Sequence, residues 1–247
     1  MNPILRSLHE RKSVRSFLDM PVEPSVRSAI LEAAMAAPTA GNQMLYTILD
    51  IKDQTLKNKL AVSCDNQAFI AKAPLVLVFL ADCRRWLDMF TEAAITARKP
   101  GMGDFLLACE DAMVAAQNAV VAAQSLGLGS CYIGDILERR EEHMELLALD
   151  RYTVPIAMLV FGYPSEQQLA RPKPKRFNQS YIVMTDRYHR LSGQELRAML
   201  AESHPSEDYE TFMKAFCDRK YMSDFSVEMS RSATAYAMEF LRDSEAP

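Results

Sequence analysis

The stretch "ERKSVRSF", Glu10 to Phe17, sets Arg11, Lys12 and Arg15 close together with Ser13 and Ser16 among them. Two guanidiniums, an ammonium, hydroxyls and backbone amides form a donor set suited to an anion. The planar arginine fork matches phosphate oxygens, and serine adds a short hydrogen bond. If the segment is helical, Arg11 and Arg15 share one face, where like charges cost about 0.2–0.5 kcal/mol. A solvated charged face is the plainer explanation of such a run. A second basic group, "RPKPKRF", carries Arg171, Lys173, Lys175 and Arg176 on a proline-stiffened segment. Stiff backbone lowers the ordering cost of presenting charge to a ligand, although a solvated linker has the same composition. In "APTAGNQ", Ala37 to Gln43, small residues with Gly41 and Asn42 let a flat ligand approach the backbone, or simply turn the chain from helix to strand.

Several other chemistries lack their residues. Gly127, Gly129 and Gly134 in "SLGLGSCYIGDI" do not have the GxGxxG spacing of a dinucleotide site, and neither a P-loop nor a GxSxG elbow occurs. His9, His143, His189 and His204 lie far apart without metal-ligand spacing, which leaves them as surface or structural residues and predicts no metal. Five cysteines, without a CxxC pair, argue against a disulfide framework or zinc site and for a reducing compartment. A net charge of −4 argues against general nucleic-acid binding. The first twenty residues hold no apolar leader core, and the run "APLVLVFLA" is too short to span a bilayer. A cytoplasmic, soluble protein without a membrane partner is expected.

The elements that must position these groups follow from periodicity. "PVEPSVRSAILEAAMAAP" has proline and glutamate in its first turn and apolar residues at helical spacing up to Pro38. "MLYTILDI", "PLVLVFLAD", "SCYIGDI" and "TVPIAMLVFGYP" read as strands. From Asp104 to Leu126 the chain is apolar or small nearly all round and ends at Gly127, which predicts a helix buried on most sides, in the core or at a subunit interface. "LERREEHMELLAL" reads as an ordinary surface helix. Beyond Pro164 three prolines predict irregular structure, and amphipathic helix resumes near Gly193.

In this order "ERKSVRSF", "AAMAAPTAGNQ", "NQAFIAKAPLVLVFLAD", "AAQNAVVAAQSLGLGSCYIGDI" and "LVFGYPSEQQLARPKPKRF" resemble the FMN-dependent nitroreductase family, in particular its NADPH-type nitroreductase and flavin reductase branch. The likeness runs from about Arg6 to Phe177. It implies an α+β nitroreductase-like fold, with a central, mostly antiparallel sheet surrounded by helices. It also implies a homodimer with FMN at the subunit interface and the alanine-rich helix buried. Residues 1–247 would form one domain, with 178–247 a less well matched helical extension.

By the same resemblance Arg11, Lys12, Ser13 and Arg15 would hold the FMN phosphate and ribityl chain, with Lys173, Lys175 and Arg176 closing round the phosphate. Pro38, Thr39, Ala40 and Asn42 would lie against the ring or ribityl chain. Gln67 would reach the flavin, and Tyr132, Ile133, Gly134 and Asp135 would lie near the ring. Amide donors at the ring edge favour the anionic reduced flavin. The implied reaction is ping-pong transfer of two electrons from NADPH or NADH to a small-molecule acceptor: a nitroaromatic, a quinone or a flavin. No catalytic side chain is obligatory, because flavin N5 carries the chemistry. A dehalogenase, a flavin-fragmenting enzyme or an enoyl-type reductase shares the fold, and a non-catalytic nucleotide-binding protein is the remaining alternative. Asp135 stands where this branch often has a small residue. Residues 84–104 form a candidate lid, although Trp86 and Phe90 could equally be core. Arg219 and Lys220 in "CDRKY" are the nearest candidates for a reductant 2′-phosphate site.

Overall fold

In the computed structural model, residues 1–206 and 208–242 are described. In chain order, helices α1 (Pro3–Glu10) and α2 (Pro24–Met35) precede strand β1 (Tyr46–Asp50), helices α3 (Gln54–Ser63) and α4 (Ala68–Lys72), and strand β2 (Leu75–Asp82). Helices α5 (Arg84–Glu92) and α6 (Met102–Ser125) lead to β3 (Gly129–Ile133), α7 (Arg140–Leu146), β4 (Thr153–Gly162) and α8 (Glu166–Ala170). Helices α9 (Gly193–Ser203), α10 (Tyr209–Lys220) and α11 (Asp224–Arg242) follow. The strands form one antiparallel sheet in the order β1-β2-β4-β3.

Every residue of β2 is buried, which is why it reads as a continuous apolar run rather than an alternating one. Leu75, Leu77 and Phe79 pack with Ile30 and Ala34 of α2 and Ala112, Ala115 and Ala116 of α6. Val76, Val78 and Leu80 enter a second cluster with Leu60 of α3 and Ile70 of α4. The sheet is therefore the middle of three layers.

Within the single chain the alanine-rich helix is buried along one face. Ala108, Ala112, Ala115, Ala116, Ala119 and Ala123 recur at helical spacing on the buried face, because a side chain of one carbon lets the helix lie close to the sheet. Leu106, Leu107, Met113 and Val114 stand on the other side and are exposed. Among the described residues α6 is also the one helix long and apolar enough to cross a bilayer.

Two compact units are present: residues 1–171 with 228 onward, and residues 172–227. Tyr236 and Phe240 of α11 are fully buried in the first unit, where Phe240 stacks on Phe105 at 4.5 Å and meets Tyr152 at 5.4 Å. In the second unit α9 begins with a capping box on Ser192 and Glu195, and Arg197 pairs with Glu210 of α10.

Candidate functional site

The basic segment is extended, not helical. The first helix stops at Glu10, and Arg11 turns the chain out with φ −54° and ψ 128°. Ser13 then bridges Ser130 in parallel, Val14 N donates to Ser130 O at 2.9 Å, and Phe17 bridges Pro164. The free edge of β3 is thus covered by the very residues that carry the charge. Glycines make this approach possible: a Cβ on Gly129 would lie 2.4 Å from Val14 Cγ2, and one on Gly162 would lie 2.7 Å from Phe17 Cδ1.

Alternation along this extended segment sends Val14 into the core and leaves Arg15 exposed, with Arg11 and Ser13 half-buried. Arg11 Nη1 is buried without a hydrogen-bond partner among the described residues. Arg15 lies 6.0 Å from the centre of the Phe69 ring, and Arg15 N donates to Gln168 Oε1 at 3.0 Å. Lys12 is committed to the protein, because its ammonium donates to the carbonyls of Leu169 and Arg171 at 2.6 and 2.5 Å. Burial pushes the Cys131 thiol up, opposed by the Arg15 charge and by hydrogen bonding to Ser13. Burial likewise pushes the Tyr132 phenol up to about 12, against the opposing charge of Arg11. Two positive charges therefore stand along β3, and one of their nitrogens, Arg11 Nη1, lacks an acceptor among the described residues.

At the far end of β3 the chain enters a 3-10 turn, Gly134–Leu137. Gln67 Nε2 donates to Asp135 Oδ1 at 3.1 Å and to Cys64 O at 2.9 Å, which joins two of the residues singled out from sequence. Gln67 follows Asp65 and Asn66, both left-handed at φ 60° and 53°, a conformation those two residue types tolerate best. Ile133 is buried, so only its backbone is available to a ligand, whereas Gly134 is exposed with nothing within 4 Å of a built Cβ. Tyr132 OH donates to Gln117 Oε1 at 3.2 Å. The turn is held from behind by His143, fully buried, which bonds Ile136 O at 2.9 Å and Ser63 Oγ at 2.8 Å. Burial keeps that imidazole below its ordinary value. The segment read from sequence as an ordinary surface helix therefore carries a core anchor. Glu138 beside it is 5% exposed, with Oε1 without a partner among the described residues; burial first, and the Asp135 charge second, push its carboxyl up to about 7.

The 38–42 loop is organised by a residue that sequence reasoning missed. Asp111, 4% exposed on α6, accepts from Ala40 N at 2.9 Å through one oxygen. Its other oxygen accepts from Leu45 N at 3.0 Å and from the Thr39 hydroxyl. Thr39 Oγ1 in turn accepts from Met44 N at 2.8 Å. One carboxylate closes both ends of the loop, and the Thr39 side chain is used inside it, leaving its backbone for any ligand. Pro38 and Asn42 are exposed, Ala40 is half-buried, and Asn42 is left-handed at φ 56°. An acid set among alanines in "LACEDAMVAA" is the signal that could have found Asp111, since a carboxylate on an apolar face must be satisfied by donors from elsewhere.

Within 84–104, α5 and the following irregular chain line a cavity of about 260 Å³ with Trp86, Phe90, Arg98 and Asp104 on its walls. Trp86 donates to Gln43 O at 2.9 Å, and Arg98 bonds both oxygens of Asp104. Lys173, Lys175 and Arg176 are exposed on the second unit, as are Arg219 and Lys220 at the end of α10.

Residues 8–163 match the family profile described as the Nitroreductase family. Over 176 residues, 70% of each chain, the protein is 32% identical to a Bacillus subtilis FMN reductase (NAD(P)H). Over 174 residues, again 70% of each chain, it is 33% identical to the oxygen-insensitive NADPH nitroreductase of Salmonella typhimurium. The solved structure of B. megaterium NfrA2 superposes with a TM-score of 0.81 at 26% identity, covering 96% of this chain and 98% of that one. The fold is thus shared with relatives matched along most of their length, and the chain belongs to the nitroreductase family.

Proposed function

We propose that this protein is an FMN-dependent oxidoreductase that passes two electrons from NADPH or NADH to nitroaromatic, quinone or flavin acceptors. The observation that carries the reading is the pair of arginines laid along β3 beside buried donors without acceptors, Arg11 Nη1 and Gln168 Nε2. Among the described residues these are two of several buried side-chain atoms without a partner, and as the two that stand at the basic segment they fit an anion such as the FMN phosphate. Relatives named for NAD(P)H-dependent flavin reduction and NADPH-dependent nitro reduction supply the reaction class.

Bound FMN would supply the two-electron chemistry, taking up hydride at N5 from the reduced nicotinamide for transfer to the acceptor. The chain itself binds and orients. Arg11, Ser13 and Arg15 hold the phosphate end, and Lys12 fixes the segment that presents them through its bonds to Leu169 O and Arg171 O. The backbone of Thr39 and Ala40 with Pro38 and Asn42, held by Asp111, flanks the ribityl chain and ring. Gln67, the backbone of Tyr132, Ile133 and Gly134, and Asp135 lie at the ring end. The family resemblance further assigns Lys173, Lys175 and Arg176 to the phosphate. Arg219 and Lys220 receive the reductant, with NADPH preferred.

The exposed apolar face of α6 supports a homodimer, since leucine, methionine and valine gathered on one helix face mark a surface made to be covered. Free cysteines throughout the described residues support a cytoplasmic location. We take residues 1–247 as one functional domain with 178–247 as its extension.

A visible spectrum of the purified protein before and after anaerobic NADPH tests the reading. A flavin band that bleaches supports it. Protein that stays colourless after FMN is added overturns it.

A further inference from the structure

Helix α8 is bolted to the basic segment from several directions. Lys12 holds the carbonyls of Leu169 and Arg171, Ser165 N donates to Ser16 O at 3.1 Å, and the hydroxyls of Ser165 and Ser16 meet at 3.0 Å. Between these ties stands Gln168, 6% exposed, with Oε1 accepting from Arg15 N at 3.0 Å. That bond settles the orientation of the amide, because a backbone N–H only donates and the atom facing it must be oxygen. The Nε2 end therefore carries two N–H donors into a buried place where no acceptor among the described residues meets it. A buried amide donor left unpaired is unfavourable, and native proteins explain such groups by a partner.

The identity of that partner follows from its neighbours. It must accept hydrogen bonds, and it sits where the Arg15 backbone meets Gln168, on the segment whose Arg11 Nη1 is also buried and unsatisfied. Among the described residues none accepts from Gln168 Nε2, and on a segment that carries two guanidiniums the missing acceptor is best supplied by an anion. Lys12, the remaining cation of the segment, is taken up by carbonyls and does not compete for it.

We propose that Gln168 is a cofactor ligand, its Nε2 donating to a phosphate oxygen of FMN already held by Arg11 and Arg15. This rests on the FMN reading above. Gln168 adds a neutral donor to a charged site: it selects an oxygen acceptor at a fixed place without adding to the long-range attraction of the arginines. Its contribution is accordingly insensitive to salt, whereas theirs is screened.

The test compares FMN with riboflavin, which lacks the phosphate, on wild-type protein and on Gln168→Glu and Gln168→Met. Gln168→Glu keeps an oxygen for Arg15 N but turns the donor into a charged acceptor; Gln168→Met removes both functions at similar volume. The expected result is FMN affinity weakened about 10- to 100-fold in Gln168→Glu and about 10-fold in Gln168→Met, with riboflavin affinity within about twofold of wild type in both. Retained riboflavin binding shows that the variants are folded. The phosphorus NMR resonance of bound FMN is expected to shift in Gln168→Met. Equal loss for both flavins, or no loss for either, overturns the assignment and leaves Nε2 to a water. Wild-type protein that takes up no FMN overturns the cofactor reading itself.

Discussion

Gly129 and Gly162 face each other in register across β3 and β4, and each makes room for a side chain of the same N-terminal segment, Val14 at the first and Phe17 at the second. The pair is a seat for the basic segment. The arginines are placed by two absent side chains as much as by any bond they make.

A methyl group at either seat is therefore expected to displace the segment. Gly129→Ala would set a Cβ 2.7 Å from Val14 Cβ, so shortening Val14 to alanine does not relieve it. Each glycine-to-alanine change is expected to destabilise by about 1–3 kcal/mol, as overpacking does, and to lower flavin retention. Urea denaturation and the ratio of visible to ultraviolet absorbance check both.

Asp111→Ala leaves Ala40 N, Leu45 N and the Thr39 hydroxyl without their acceptor. Hydrogen bonds to a charged group are worth about 1.5–3 kcal/mol each, and a loss of about 3 kcal/mol or more is expected. Asp111→Asn keeps one acceptor oxygen and is expected to fall between. Amide exchange at Ala40 and Leu45 should accelerate in both variants; unchanged protection would contradict the role given to Asp111.

Arg15→Ala and Lys12→Met are expected to fail differently. The first removes a charge from the proposed phosphate site, so it releases flavin and flattens the salt dependence of FMN binding. The second removes the strut to Leu169 O and Arg171 O, so it lowers thermal stability while leaving the salt dependence in place. Titrations at two ionic strengths distinguish them.

Glu138 gives a pH prediction. Its carboxyl titrates at about 7 in the folded protein against 4.5 ordinarily, so the folded state holds a proton that the unfolded state has lost between those values. The resulting stability is fully present below pH 4.5 and is lost as pH rises through 7. With about 1.4 kcal/mol for each pH unit of displacement, the loss is on the order of 3 kcal/mol. His143, held below its usual value by burial, acts in the opposite sense and favours the fold as pH rises through 6.5. Glu138→Gln is expected to remove the first dependence and leave the second, so that stability rises with pH up to about 6.5 and then levels off. Melting temperatures from pH 5 to 8 provide the check.

Leu107→Glu and Val114→Glu place charges on the exposed apolar face of α6. Wild-type protein is expected to sediment as a dimer and these variants as monomers. A wild-type monomer would remove the proposed use of that face.

The strands were legible because β-branched and aromatic runs are bounded by proline and turn residues, and the core of "PLVLVFLAD" lies in β2 as its composition requires. The alanine stripe located α6 but not its exposed side, because a helix of alanine, leucine and methionine looks apolar all round until the sheet selects the alanines. Arg11 and Arg15 were legible as charges and not as a strand edge, since the pairing depends on glycines far along the chain. Asp111 and Gln168 went unread for one reason. Each is a common polar residue whose importance comes from the partners it meets at long range, and no local spacing records those partners.

The return of α11 to the first unit bears on how the protein is made. Tyr236 and Phe240 fill the same cluster as Leu45 and Val154, yet residues 172–227 intervene in the sequence as a compact unit of their own. A ribosome that has delivered β4 has therefore delivered a core with an open side. The later unit can be synthesised and organised before that side is closed, so the first unit finishes folding after the second has emerged, and a nascent chain paused in between exposes apolar surface to chaperones.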